Sequence, residues 1–84
     1  MEETDVIATR CEVKARRVYM YLQDGRMVSF PCSHYPLLEN ASSSLLSKVK
    51  LRLGGRALRW EELDEDIWVA SAVAGKYPKK LAAA

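Results

Sequence analysis

Five carboxylates fall within six positions of the sequence, in the run EELDED at residues 61–66, and a tryptophan flanks the run on each side. Such a cluster could provide a general acid–base pair or bind a divalent cation. An acid–base pair needs two carboxyls with separated pKa values, and a calcium loop needs a glycine at its turn, which this run lacks. Acidic residues also begin helices, because they cap amide groups and complement the macrodipole. We therefore predict that Asp64 and Asp66 are helix caps, with no metal site.

Cys32 and His34 are a second pair that could do chemistry, as a thiol nucleophile and its base. We expect these two side chains to diverge in their loop, and the segment has none of the local sequence context of a cysteine protease. The other cysteine, Cys11, stands alone, so no Cys-x-x-Cys spacing for zinc is present. These residues predict no catalytic site and no cofactor, and the protein is expected not to be an enzyme.

Basic residues alternate along two predicted strands. They are Arg10, Lys14 and Arg16 on the outer face of one strand, and Lys50 and Arg52 on that of another. Tyr19 and Tyr21 are expected beside the first group. Basic strands with exposed aromatic rings can bind single-stranded nucleic acid. Since the chain has no RNP-like or helix-turn-helix pattern, nucleic-acid binding is the alternative here, and an ordinary solvated sheet face is favoured.

Composition indicates one small globular domain. The chain has 84 residues with a formal charge of +2, and 49% of them are hydrophobic, which favours a packed core. We expect the domain to span residues 1–79, with residues 1–8 as a loose arm, while residues 80–84 resemble a translated vector polylinker. The polar start and the absence of an apolar run of about 20 residues predict a cytoplasmic protein with no membrane partner.

The first half of the chain predicts three strands. Polar and apolar residues alternate from Arg10 onward, and a hairpin follows around Asp24 and Gly25. A three-residue loop at 23–25 gathers one apolar face, so this register is favoured. That face consists of Val18, Met20, Leu22, Val28 and Phe30. The opposite face then carries Tyr19, Tyr21, Met27 and Ser29.

The second half predicts a helix, a hairpin and a final helix. Ser42 or Ser43 caps a helix that runs to about Lys48. Two strands follow around Gly54–Gly55, although an alternative extends the first helix to Arg52. Asp64 to Ala74 then has helical spacing, with Gly75 as its left-handed end. The expected fold is α+β in the order β-β-β-α-β-β-α, a mostly antiparallel sheet with two helices packed on it.

Three segments in this order resemble the bacterial domain-of-unknown-function family 2442. They are LQDGRMVSFP, YPLLENAS and LRWEELDEDIWV. The closing W-x-x-L-D-x-D-[IL] signature is matched by Trp60, Leu63, Asp64, Asp66 and Ile67, and the middle stretch by Tyr35, Pro36, Leu38, Ala41 and Ser42. The resemblance covers roughly Cys11 to Gly75. It implies a small α+β domain of bacteria or their phages without assigned catalytic residues. Genes for such domains often lie beside those of small putative toxins, so the resemblance also implies an antitoxin-like partner of a toxin encoded by the neighbouring gene.

The leading hypothesis is therefore a non-enzymatic protein-interaction module, with a toxin-like protein as its partner. Trp, Tyr and Met favour the centres of interfaces, so the predicted partner-binding residues are Tyr19, Tyr21, Met27 and Trp68. Short strands leave sheet edges exposed, so a homodimer formed through such an edge is also expected. The alternative hypothesis is a nucleic-acid-binding accessory or transcriptional regulator that acts through its basic strand faces.

Overall fold

The computed structural model describes residues 6–78. The described elements, in chain order, are β1 (Ala8–Lys14), β2 (Arg17–Leu22), β3 (Met27–Pro31), α1 (Pro36–Glu39), α2 (Ser43–Leu46), β4 (Lys50–Arg52), β5 (Ala57–Trp60), β6 (Glu65–Trp68) and α3 (Val69–Val73). Three 3-10 turns at 32–34, 53–55 and 61–63 link them. The strands form two antiparallel sheets, β1-β2-β3 (the first sheet) and β4-β5-β6 (the second sheet). The predicted α+β class is confirmed, with two sheets in place of one.

The β2–β3 hairpin has the predicted register. Met20 pairs with Val28, and Val18 pairs with Phe30. Gly25 has a φ of 95°, the left-handed conformation that the three-residue loop requires at its end. The alternating apolar side chains of β2 all enter the core. Burial of one face therefore selected the register.

A tight two-residue turn joins β1 to β2. Ala15 and Arg16 both have positive φ, at 50° and 60°, so the side chain of Arg16 leaves the strand. Its Nη2 donates to three backbone oxygens, those of Leu38 at 3.3 Å, Glu39 at 2.9 Å and Ala41 at 3.0 Å. The prediction that Arg16 shares the outer face of β1 is wrong, because this side chain closes the end of α1.

Two short helices cross from the first sheet to the second. α1 was not predicted from the sequence; it begins at Pro36, a residue suited to the first helical position. The predicted cap of α2 is confirmed, since Ser42 Oγ accepts a hydrogen bond from the Leu45 amide at 3.1 Å. The buried Trp60 indole donates to the Leu46 carbonyl at 3.0 Å. This bond fixes the end of α2 to β5 and satisfies a polar group in the core.

The second sheet corrects the predicted final helix. The β4–β5 register is as predicted, with Leu51 opposite Leu58, so the extension of α2 to Arg52 is wrong. A helix from Asp64 to Ala74 is also wrong, because Glu65–Trp68 forms β6 and only Val69–Val73 is helical. In the strand, Ile67 pairs with the buried Leu58. Completing the sheet and burying Ile67 outweighs the helical preference of the local sequence.

The end of α3 is as predicted. Gly75 has a φ of 76°, and its amide donates to the Ala72 carbonyl at 3.1 Å. The Lys76 amide donates to the Ser71 carbonyl at 2.9 Å. This pair of bonds is the Schellman arrangement that a glycine permits after a helix.

The first described residues belong to the packed domain. The Ile7 carbonyl accepts a hydrogen bond from the Gln23 amide at 2.8 Å, and Ala8 opens β1 with 2% of its surface exposed. A Cβ built on Gly55 would lie 2.2 Å from the Ala8 oxygen, so two backbones touch here. The predicted loose arm is therefore wrong for residues 6–8. Its remaining residues, and the predicted remnant at 80–84, lie outside the described range.

The two sheets share one hydrophobic core. It includes Met20 and Phe30 from the first sheet, Leu58 and Trp60 from the second, and Leu38 from α1. Within residues 6–78, no helix is long and apolar enough to cross a membrane.

We expect Gly55→Ala to destabilise the domain much more than Gly25→Ala. Both glycines have positive φ, where an added Cβ costs about 1–2 kcal/mol. The Cβ at 25 would meet no atom within 4 Å, whereas at 55 it would overlap the backbone of Ala8, which adds about 1–3 kcal/mol. Urea denaturation measures both costs. Equal losses would contradict a close contact between Gly55 and β1.

Candidate functional site

The outer face of the second sheet carries an exposed apolar groove. Trp68 and Leu53 line it with 57% and 62% of their surfaces exposed. Arg52 and Arg59 line it as well, and its volume is about 650 Å³. Trp68 is outward because its neighbour Ile67 points into the core. We call this surface the tryptophan groove; it is lined by Arg52, Leu53, Ala57, Arg59, Glu61, Asp66, Ile67 and Trp68.

Arg59 is held beside the groove by three carboxylates. Its guanidinium donates to Asp66 Oδ2 at 2.7 Å and to Asp64 Oδ1 at 3.0 Å, and its Nε lies 3.3 Å from Glu61 Oε2. Glu61 also pairs with Arg52. The hydrogen bond to Asp66, followed by those to Asp64 and Glu61, raises the pKa of Arg59. The acidic run thus holds two arginines in fixed positions.

Asp64 and Asp66 are therefore not helix caps. Asp64 follows the 3-10 turn at 61–63 and has left-handed φ and ψ of 52° and 44°. Asp66 lies within β6, opposite Arg59. The loop between β5 and β6 needs a left-handed residue at position 64, and Asp tolerates that conformation better than most residues.

Glu65 and Tyr35 are two polar side chains that are wholly or partly withdrawn from solvent. Glu65 pairs with the buried Trp60 and is itself half-buried. Desolvation by burial raises the pKa of Glu65, and repulsion by Asp66 and Asp64 adds to this. Tyr35 has a buried hydroxyl without a hydrogen-bond partner among the described atoms. Burial, with smaller contributions from Tyr77 and Glu65, raises the pKa of Tyr35 to about 12.

The outer face of the first sheet combines tyrosines with cations. Arg10 pairs with Tyr21 across β1 and β2, and its Cζ lies 4.1 Å from the centre of the Tyr21 ring. The Tyr21 hydroxyl donates to Glu12 Oε2 at 2.5 Å. This bond is the main reason that the pKa of Glu12 is lowered and that of Tyr21 is raised. We call this surface the tyrosine face; it carries Arg10, Glu12, Lys14, Arg17, Tyr19, Tyr21, Met27 and Ser29.

The second tyrosine has a similar environment. Lys14 Nζ lies 5.4 Å from the centre of the Tyr19 ring. Arg17, which the sequence analysis did not single out, donates from Nε to Ser29 Oγ at 3.1 Å. The strand alternation that placed Tyr19 outward places Arg17 outward too, so the signal was available in the sequence.

The four predicted partner-binding residues lie on two different sheets. Tyr19, Tyr21 and Met27 share the tyrosine face, as the predicted register requires, and Met27 is 51% exposed. Trp68 lies in the tryptophan groove of the second sheet. Their role in binding stays a prediction, and the set does not form one face of one sheet. Leu53 and Arg59 join Trp68 in the groove, although the sequence analysis did not select them.

The remaining candidate for chemistry is the segment with Cys32 and His34. The His34 ring stacks on Tyr77 with 4.0 Å between ring centres. Burial raises the pKa of the Cys32 thiol. Burial is also the largest cause of the raised pKa of the Cys11 thiol. A raised pKa keeps a thiol protonated, whereas the thiolate is the nucleophile. Among the described residues, no cluster of three His, Cys, Asp or Glu side chains could hold a metal ion.

We expect Asp64→Val to be more destabilising than Asp66→Val. Both changes remove a carboxylate that contacts Arg59. Only residue 64 has a left-handed backbone, where a β-branched side chain costs about 1–2 kcal/mol more. Asp64→Asn should retain most of the stability. Chemical denaturation tests this, and a larger loss at 66 than at 64 would contradict the observed loop.

We expect Glu65→Gln to stabilise the domain at pH 7. The folded state raises the pKa of Glu65, so the charged carboxylate opposes folding at neutral pH. Below the unfolded pKa of about 4.3, both states bind the proton and the gain disappears. Denaturation midpoints of parent and variant, measured from pH 7 down to about 4, check this. A gain that persists at the acidic end would reflect packing and not charge.

Comparison with known proteins supports the fold described above. A crystal structure of a protein of unknown function from Rhodospirillum rubrum has 29% identity and a TM-score of 0.82, covering 90% of this chain and 94% of that one. The solution structure of an uncharacterized protein from Chromobacterium violaceum has 15% identity and a TM-score of 0.73, covering 87% and 69%; it shares the fold. No curated protein matches this sequence.

A family model matches residues 8–77, which is nearly all of the described chain. Its description is "Protein of unknown function (DUF2442)". The match includes both sheets, the three helices, the tryptophan groove and the tyrosine face. The resemblance seen in the sequence is confirmed: this chain belongs to the DUF2442 family of proteins of unknown function.

Proposed function

We propose that this domain is a non-enzymatic protein-interaction module that binds its partner through the tryptophan groove. The observation that carries the proposal is the exposure of Trp68 beside Leu53 in a groove bordered by two arginines. Tryptophan and arginine dominate the energetic centres of protein interfaces. Trp68 is 57% exposed, so a partner that covers it would bury a large aromatic surface. Such burial contributes strongly to the energetics of interfaces.

Preorganised charge supports this proposal. Arg52 and Arg59 already lie against Glu61, Asp64 and Asp66, so a partner would have less side-chain freedom to restrict on binding. Ordering such a side chain costs about 0.5–1.5 kcal/mol on binding. The ion pairs also form a polar rim around the apolar groove, which is the usual arrangement of an interface.

The proposal of a non-enzymatic role has support of its own. Glu61, Asp64 and Asp66 of the acidic run form ion pairs with Arg59 and Arg52, so these carboxylates are engaged in charge pairing on the sheet surface. The thiol of Cys32 is held in its neutral form by burial. His34, the candidate base beside Cys32, packs its ring on the ring of Tyr77.

In its specific form, the proposed partner is a small bacterial toxin that this domain neutralises in the cytoplasm. The family resemblance supports this form, and the groove offers a surface for it. The expected homodimer stays a separate prediction: the edge strands of the two described sheets are β1, β3, β4 and β6, and another chain can add a strand at an exposed edge.

We expect Trp68→Ala to weaken binding of the protein encoded by the neighbouring gene by about 30-fold. This corresponds to the roughly 2 kcal/mol loss of an interface hot spot. Calorimetric titration measures the affinity, and circular dichroism checks that the variant is folded. Leu37→Ala is the matched control, because Leu37 is also exposed, at 49%, and does not line the groove.

Three results would contradict the proposal. A folded Trp68→Ala variant that binds as tightly as the parent would place the interface elsewhere. An equal loss in Leu37→Ala would show that the groove is not special. If the neighbouring protein does not bind the parent, the toxin-neutralising form is wrong.

A further inference from the structure

We propose that the tyrosine face of the first sheet is a second binding surface, whose ligand is single-stranded nucleic acid. The surface lies on a different sheet from the tryptophan groove, so this inference goes beyond the proposed protein-binding function. It depends on three cations, two aromatic rings and their arrangement on the strands. Arg10, Lys14 and Arg17 supply the cations, and Tyr19 and Tyr21 supply the rings.

The cations of this face differ from the two arginines that line the tryptophan groove. Arg10, Lys14 and Arg17 are exposed, and within the described part of the chain none of them forms an ion pair. By contrast, Arg52 and Arg59 each contact a carboxylate. Cations without carboxylate partners are available to neutralise phosphates, and each such contact releases condensed counterions.

Charge is concentrated on this face. Its three cations and the one carboxylate of Glu12 give a net charge of +2 (three minus one), equal to the formal charge of the whole chain. Glu12 accepts the hydrogen bond from the Tyr21 hydroxyl, so this carboxylate orients the Tyr21 ring. A strand with one phosphate per nucleotide complements such a surface, whereas the neutralised ion pairs around Arg59 do not attract it.

The two rings lie on the central strand at positions two residues apart. Tyr19 and Tyr21 are therefore about 6.6–6.8 Å apart along β2. Arg10 lies over one ring and Lys14 near the other. Bases stack on tyrosine rings and also on the plane of an arginine guanidinium. Sheets that carry aromatic rings on central strands bind two or three unstacked bases in this way.

A single strand fits this face better than a duplex does. Paired bases are stacked inside a helix, so a flat sheet could reach only their phosphates. The tyrosines would then contribute nothing to affinity. Stacking on Tyr19 and Tyr21 requires bases that are accessible, and only a single strand offers them.

The test is fluorescence anisotropy with labelled oligothymidylate and oligouridylate of about twelve nucleotides, a length within known site sizes. The untagged full chain is titrated between about 50 and 200 mM salt. We expect saturable binding. The logarithm of the association constant should fall with the logarithm of the salt concentration at a slope of about −2, as three phosphate contacts require. A duplex of the same length should bind more weakly.

Four variants test the separate contributions. Lys14→Ala should reduce the salt slope by about 0.7, and the matched control Lys50→Ala, an exposed lysine of the second sheet, should change neither slope nor affinity appreciably. Tyr19→Ala should weaken binding about tenfold through lost stacking. Glu12→Gln should tighten binding by up to about fivefold, because it removes repulsion while its amide oxygen can still accept from Tyr21.

Several outcomes would overturn the inference. They are no saturable binding at the lowest salt, equal binding of the duplex, an equal effect of Lys50→Ala and Lys14→Ala, and an unchanged affinity for a folded Tyr19→Ala variant. Tyr19→Leu, which keeps an apolar side chain on the strand, replaces the alanine variant if that one unfolds. Loss of partner binding in Trp68→Ala with unchanged oligonucleotide binding would confirm that the two surfaces act separately.

Discussion

The contact between Gly55 and the backbone of Ala8 determines how the two sheets meet. The strands contain between three and seven residues, and a domain of this size buries only about 60% of its unfolded surface. Neither sheet could form a core alone. Because the turn at 53–55 has no side chain at Gly55, it reaches β1 at backbone distance. Phe30 and Trp60, from different sheets, then belong to one core.

This arrangement uses the inner faces of both sheets for stability. The residues available for binding must therefore lie on the outer faces, which differ in their electrostatics. On the second sheet, Arg59 is surrounded by Asp64, Asp66 and Glu61, and charge is locally balanced. On the first sheet, Arg10 and Lys14 lie near aromatic rings, and the tyrosine face has a net positive charge. A balanced, rigid surface suits an interface with a protein, whereas unbalanced cations beside rings suit a polyanion.

Sequence reasoning succeeded where one local rule decided the outcome. Burial of alternate residues fixed the register of Val18 and Phe30, and a left-handed helix end required Gly75. It failed where two periods coincide. Leu63 and Ile67 are four residues apart, which is close to one helical turn and is also two strand repeats. Only the pairing of Ile67 with Leu58 decides between them, and that contact is not local. Arg16 binds carbonyls 22 to 25 residues away, which is equally invisible in a local pattern.

The candidate site was predictable in part, and Trp68 shows why. Its exposure was expected from a helical face, yet it results from strand alternation: Ile67 enters the core, so Trp68 must leave it. Its partner across the ladder is Ala57, which cannot form the aromatic or β-branched pair that would make a tryptophan useful to the sheet. Tyr21, by contrast, has neighbours within its own sheet, with Arg10 over its ring and Glu12 at its hydroxyl. The ladder partner of Trp68 offers no such contact, and this is why the exposed tryptophan supports the proposed interface.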